Sequence, residues 1–195
     1  MSNIKVGITQ GDINGISYEV ILKTLEDNRI CDLCTPIIYG SPKVAAYQRK
    51  MLNLNVNLNL VNKPEEAQEK KANIINCCAD AVKVEVGFST PQAGEAAFKA
   101  LERATRDLKE GKIDVLVTAP INKNNIQSES FSFPGHTEYL ESLFGEKGDA
   151  LMVLANDSIR IAVVTGHVPV SKISACLTKE NILKKIQQFN KSLIE

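Results

Sequence analysis

The chain has 195 residues, 44% of them hydrophobic and 24% charged, enough to bury a core in one large or two small domains. Its twenty-three Lys and Arg balance twenty-three Asp and Glu, so no net field draws it to nucleic acid or anionic lipid. No apolar run approaches the roughly 20 residues that span a bilayer, and the opening M-S-N-I-K-V-G-I-T-Q reads as a strand rather than a signal peptide, so the expected location is the cytoplasm.

Residues 4–9 predict a first strand ending in the polar turn Gln10-Gly11-Asp12-Ile13-Asn14-Gly15. A helix follows from about Ser17 to Glu26, with Val20, Ile21, Leu22 and Leu25 as its apolar stripe. Cys31 and Cys34 form a lone C-x-x-C without the second half of a zinc site. The odd count of five cysteines is unlike a disulfide framework. Thr35–Tyr39 predicts a short buried strand closed by Gly40. Ser41-Pro42 then opens a helix reaching about Leu52.

Residues 52–62 alternate apolar residues with Asn, the pattern of a half-exposed strand, and Pro64 to Lys71 is either helix or loop. Asn73–Cys77 and Val82–Val86 are further strand candidates, with Cys77-Cys78 read as small packing residues. Ser89-Thr90-Pro91 is a hydroxyl cap with proline at the first helical position. Ala97, Phe98, Leu101, Ala104 and Leu108 recur at helical spacing behind it, and Gly111 stands where a left-handed C-terminal cap belongs. The strand Ile113–Val117 follows directly. Strand, helix, strand in this order predicts an α/β architecture with parallel pairing. Residues 150–165 flank Asn156-Asp157 with two apolar runs and predict a hairpin, which makes the expected sheet mixed but mostly parallel. Thr178 caps a last helix bearing Ile182, Leu183, Ile186 and Phe189.

Three predicted strands end in polar clusters: at Gln10-Gly11-Asp12, at Thr118 and Lys123, and at Thr165-Gly166-His167. In open α/β sheets ligands bind beyond the carboxyl ends of the strands, so these ends are the candidate crevice. A neutral imidazole such as His167 at a strand end suits a divalent cation. One histidine is not a metal site, however, and no H-x-x-x-H pair completes a cluster. His136-Thr137 follows Pro134-Gly135 and has two readings that remain open. It either holds a phosphate or carboxylate oxygen at a helix start, or it is a structural cap with a solvated imidazole. The loop after the first strand is not G-x-G-x-x-G and no Walker loop occurs, which disfavours a Rossmann dehydrogenase.

G-D-I-N-G-I-S-Y-E (11–19), V-T-A-P-I-N-K (117–123), G-H-T-E-Y-L (135–140) and V-V-T-G-H-V-P-V (163–170) occur in this order, and together they resemble the 4-hydroxythreonine-4-phosphate dehydrogenase family. The resemblance covers essentially the whole chain. It implies a three-layer α/β/α fold like that of isocitrate and isopropylmalate dehydrogenases. It also implies NAD-dependent oxidation and decarboxylation of 4-phosphooxy-L-threonine to 3-amino-2-oxopropyl phosphate, a reaction of pyridoxal 5'-phosphate (vitamin B6) biosynthesis. By motif, His136 and Thr137 contact substrate, His167 ligates a divalent cation (Zn, Mg or Co), and Lys123 transfers a proton or contacts phosphate. Family members are longer, homodimeric, and carry two further metal-binding histidines in a portion with no counterpart here. The chain is therefore expected to be the N-terminal portion of a two-domain enzyme, with an internal boundary near 120–130 and no activity alone. Ser17 stands where the family commonly has glycine. The competing readings are a dehydrogenase of another 4-phosphorylated hydroxy acid, such as threonate or erythronate phosphate, and a non-catalytic phospho-ligand-binding or dimerisation module.

Overall fold

The computed structural model describes residues 3–79, 82–146 and 148–194. Five strands form the main sheet: β1 (Lys5–Thr9), β2 (Thr35–Gly40), β3 (Leu58–Val61), β4 (Ala72–Asn76) and β5 (Val115–Thr118). Their spatial order is β3-β4-β2-β1-β5, and every pair is parallel. All six residues of β2 are buried, as a strand covered on both faces requires. Ile38 and Ile74 point into one cluster with α1 (Ser17–Glu26) and α3 (Pro42–Met51), which supply Tyr18, Leu22, Val44 and Ala45. Ile37, Tyr39 and Ile75 point the other way, onto Ala100 and Ala104 of α4 (Pro91–Lys109). The expected three layers are present.

The hydroxyl-proline starts act as the sequence predicts. Thr90 Oγ1 accepts from the Ala93 amide at 3.3 Å and Ser41 Oγ from the Val44 amide at 3.3 Å, each with proline in the first turn behind it. Gly111 adopts φ +69° just past α4, the left-handed cap that glycine makes without strain. The buried face of α4 is mainly alanine, which lets the helix lie close to the sheet, and Leu101 fills the remaining depth. Burying one such leucine stabilises by about 1.5–3 kcal/mol. Asp107 on the same helix is 1% exposed; it accepts from the Tyr39 hydroxyl and from Arg103 Nε, both at 3.0 Å, and so ties α4 to β2.

Several expectations are corrected. The Asn-rich alternation yields a strand only over Leu58–Val61. Before it, Asn53 turns into the left-handed region and Arg49 Nη1 takes the Val56 carbonyl at 2.9 Å, so that half of the segment wraps out of α3. Leu60 is 62% exposed, at the outer edge of the sheet. Residues 82–86 form no strand, because Asn14 captures them: its Oδ1 accepts from the Glu85 amide at 2.8 Å and its carbonyl from Gly87. A short helix, α2 (Arg29–Leu33), occupies the C-x-x-C region. The predicted hairpin exists as β6 (Val153–Ala155) and β7 (Arg160–Ala162), closed by Asn156 Oδ1 accepting from the Ser158 and Ile159 amides at 2.9 Å. It forms its own antiparallel sheet, so the main sheet is wholly parallel.

The chain divides into two compact units, Met1–His136 and Thr137–Glu195. The second begins within α5 (His136–Phe144) and continues through the hairpin, a one-turn α6 (Ile173–Cys176) and α7 (Lys179–Ile194). Thr178 Oγ1 accepts from the Asn181 amide at 3.2 Å, the cap its position predicts. Residue 195 lies outside the described residues. Among the described residues no helix is long and apolar enough to cross a membrane.

Candidate functional site

The strand order reverses around β1, with β2 on one side and β5 on the other, so the carboxyl ends of β1 and β5 lie side by side at Thr9 and Thr118. Such a reversal opens a crevice between the loops that leave the two strands. The loops are interlocked here. The Asp12 amide donates to the Pro120 carbonyl at 2.8 Å and Ser17 Oγ donates to the same oxygen at 2.7 Å. Gly11, at φ +62°, passes so close to Pro120 that a Cβ would overlap its carbonyl oxygen. Ser17 is buried as the first residue of α1 and needs no positive φ. Its hydroxyl adds a hydrogen bond that glycine lacks, so the departure from the family pattern is accommodated.

Not every polar residue at these ends is free for chemistry. Gln10 is fully buried and fully used. Its Nε2 donates to the Ala96 carbonyl at 2.9 Å and to Cys78 Sγ at 3.0 Å, while its Oε1 accepts from the Tyr18 hydroxyl at 2.8 Å and the Ser41 amide at 2.9 Å. Asn14 likewise donates to the Phe88 carbonyl at 2.9 Å and to Thr90 Oγ1 at 3.1 Å. Both residues fasten loops, whereas the half-buried Asp12 carboxylate accepts, among the described residues, from the Asn14 amide at 3.0 Å.

Beyond β5 the chain turns at Asn122, whose Oδ1 accepts from the amides of Asn124 and Asn125 at 3.0 and 3.3 Å. This turn is pressed onto α4 at Gly94, where a Cβ would overlap the Asn125 carbonyl. Ile126 and Phe131 are buried beside it, and Phe131 packs edge-on between Phe98 and Phe133 at 5.8 and 5.5 Å. Gln127 Nε2 donates to the Lys123 carbonyl at 3.2 Å and to the Phe133 carbonyl at 2.9 Å, drawing together the backbone that carries Lys123 and the backbone that leads to His136.

His136 opens α5, as the motif suggests, and its Nε2 is buried with no hydrogen-bond partner among the described residues. Burial lowers its proton affinity below the ordinary histidine value, and the Lys123 ammonium lowers it further, so the imidazole is neutral near pH 7. The solvated-cap reading of His136 is therefore not what the structure has. Among the described residues of the first unit, two more polar groups that the sequence did not flag are buried without partners: Thr9 Oγ1 and the side-chain amide of Asn125. A threonine closing an apolar strand in register with Thr118 was the available signal for the first. For Asn125 there was none.

Thr137 is exposed in the first turn of α5 and lines a cavity of about 350 Å³ with Leu140, Glu141, Phe144 and Asp149. His167 belongs to the second unit, exposed and five residues past the end of β7. A divalent cation requires several converging donors. Among the described residues no group of three His, Cys, Asp or Glu comes together, so these residues by themselves do not fit such an ion. The C-x-x-C thiols are not prepared for redox work either, since burial pushes both Cys31 and Cys34 up. Cys77, held among apolar neighbours, is pushed up to about 12.

A parallel α/β sheet with interlocked loops at its strand reversal is the architecture of an α/β protein whose ligands sit at the carboxyl ends of its strands. The family model described as pyridoxal phosphate biosynthetic protein PdxA matches residues 32–195, and the chain belongs to that family. It is 54% identical over 192 residues to a 4-hydroxythreonine-4-phosphate dehydrogenase of Bacteroides thetaiotaomicron, covering 98% of this chain and 53% of that protein. An Oceanobacillus iheyensis protein provisionally named D-threonate 4-phosphate dehydrogenase is 30% identical, with 96% of this chain and 57% of that protein covered. A crystal structure of the Klebsiella pneumoniae 4-hydroxythreonine-4-phosphate dehydrogenase superposes with a TM-score of 0.88 at 26% identity, covering 99% of this chain and 59% of that one. The chain thus spans little more than half the length of the relatives it matches.

Proposed function

We propose that this chain contributes the substrate side of an NAD- and divalent-metal-dependent dehydrogenase. The reaction oxidises 4-phosphooxy-L-threonine and decarboxylates the product to 3-amino-2-oxopropyl phosphate, in the formation of pyridoxal 5'-phosphate. The observation that carries the reading is the buried, unpartnered Nε2 of His136 beside the Lys123 ammonium. An unsatisfied buried nitrogen costs about 1–3 kcal/mol, and such groups persist where a ligand completes them. Family membership and the names of the relatives support the same chemistry.

In this reading the neutral imidazole of His136 hydrogen-bonds a substrate oxygen and the Thr137 hydroxyl holds a second. The Lys123 ammonium attracts the phosphate or carboxylate charge, with proton transfer as its further candidate role. NAD, when bound, accepts the hydride. His167 is the one residue assigned to the metal; the other donors must come from outside the described residues, and the 195-residue chain alone is inactive for that reason. The working protein is a cytoplasmic homodimer. A second reading, oxidation of threonate or erythronate phosphate, is favoured by the Oceanobacillus iheyensis relative. Titration of the chain by NMR with each phosphorylated acid separates the two. Saturable movement of the His136 imidazole signal by 4-phosphooxy-L-threonine, weakened in Lys123→Gln, is expected. A response to threonate 4-phosphate alone would transfer the assignment to the second reading, and no response at His136 to either acid would remove both.

A further inference from the structure

A second polar concavity lies in the first unit, at the amino ends of β3 and β4, the end of the sheet opposite to Lys123 and His136. Its volume is about 570 Å³, within the range of small-molecule sites. Leu25, Cys31 and Val56 are its buried apolar lining, while Asn28, Asn57 and Lys70 stand exposed around it. Among the described residues no Asp or Glu lines it, and Glu26 at its margin is engaged by the Asn55 amide at 3.1 Å. The side chains of Asn28, Asn57 and Lys70 have no hydrogen-bond or ion-pair partner among the described residues, so their donors are available.

The rim is built rather than loose. Asn73 is fully buried, and its Oδ1 accepts from Asn59 Nδ2 and from the Gln68 amide, both at 2.9 Å. Its Nδ2 donates to the carbonyls of Lys71 at 2.8 Å, Gln68 at 3.0 Å and Pro36 at 3.3 Å. One amide therefore pins the whole 68–73 turn. Within that turn Lys70 is held at φ +58°, in the left-handed region, where glycine would sit without strain. A lysine kept against its backbone preference beside a cavity is the kind of local strain that binding sites hold.

We infer that this concavity is a second binding site, for a small oxyanion ligand bearing carboxylate or phosphate, engaged by the Lys70 ammonium and the Asn28 and Asn57 amides. Lysine and amide donors with no carboxylate in the lining between them recognise acceptor-rich anions. The alternating Asn residues of 52–62 acquire a role in this way: Asn57 faces the ligand and Asn59 braces the turn that presents Lys70.

The test is an amide-detected NMR titration of the 195-residue chain with citrate and, separately, with inorganic phosphate, at matched ionic strength. Saturable shifts at Asn28, Asn57, Lys70 and Lys71 are expected with at least one anion, and the one that saturates identifies the headgroup. Lys70→Gly removes the charge while relieving the left-handed backbone, so its thermal midpoint should be equal or higher. Its affinity should fall about fivefold to tenfold, the loss of one charge-assisted hydrogen bond. Asn57→Ala should weaken binding by less. Absence of saturable shifts with both anions, or an unchanged affinity in Lys70→Gly, would overturn the assignment.

Discussion

The two units of the chain contrast in how they are held together. The first has two buried clusters, one on each face of a five-stranded sheet, with buried polar staples at Gln10, Asn14 and Asn73. In the second, Tyr139 is the one buried apolar residue among the described ones, and α7 buries none despite a clear amphipathic pattern. Ile182, Leu183, Ile186, Leu154 and Ile161 are all exposed. Amphipathic periodicity reports a face that is able to be buried; the partner that buries it must come from elsewhere in the fold. Side-chain to backbone hydrogen bonds link the elements of the second unit, such as Lys185 Nζ donating to the Ala150 carbonyl at 2.7 Å and Glu141 Oε1 accepting from the Ala150 amide at 2.8 Å.

The contrast can be broken most directly at Asp107. Asp107→Ala leaves Arg103 and the Tyr39 hydroxyl without their shared acceptor and should destabilise the first unit by about 3 kcal/mol in urea unfolding. Next comes Gly94→Ala, which must lift the 122–126 turn from α4 and should cost about 2–3 kcal/mol, with the His136 imidazole signal moving as its surroundings open. Ile186→Ala on α7 serves as the counterpart. Because that side chain is 58% exposed, the change should stay near 0.5 kcal/mol, and a loss above 2 kcal/mol would contradict the contrast.

The smallest effect sharpens the site itself. The folded protein favours neutral His136, so its contribution is fully present above the ordinary histidine value and is lost as pH falls through the lowered folded value. Lys123→Met removes the smaller of the two causes. An NMR titration should then show the His136 value rising, yet remaining below that of an exposed histidine because burial persists. An unchanged value would separate Lys123 from the site.

Much of the first unit was legible because its local signals agree with one another. β1, β2, β4, α1, α3 and α4 follow from apolar runs, helical spacing and hydroxyl-proline caps that act within a few residues. Two of the failures share one cause, capture by a polar side chain from outside the segment. Val82–Val86 has strand composition but is taken by Asn14, and the first half of the Asn-rich run is taken by Arg49. The site was legible by residue type and not by role. Gln10 looked available and is a buried staple, whereas the unpartnered Nε2 of His136 is a consequence of tertiary packing that periodicity does not report.

The position of β5 has a practical consequence. Among the described residues it is the last strand of the sheet on its side, and Val115 and Val117 are 46% and 47% exposed along it. An edge of apolar residues with unpaired backbone groups is a template for another strand, and β5 has neither lysine nor proline to blunt it. Concentrated solutions of the chain should therefore thicken and precipitate by strand addition before they unfold. A charge introduced at Val117, on the open edge and away from the staples, is the change most suited to keep the protein in solution.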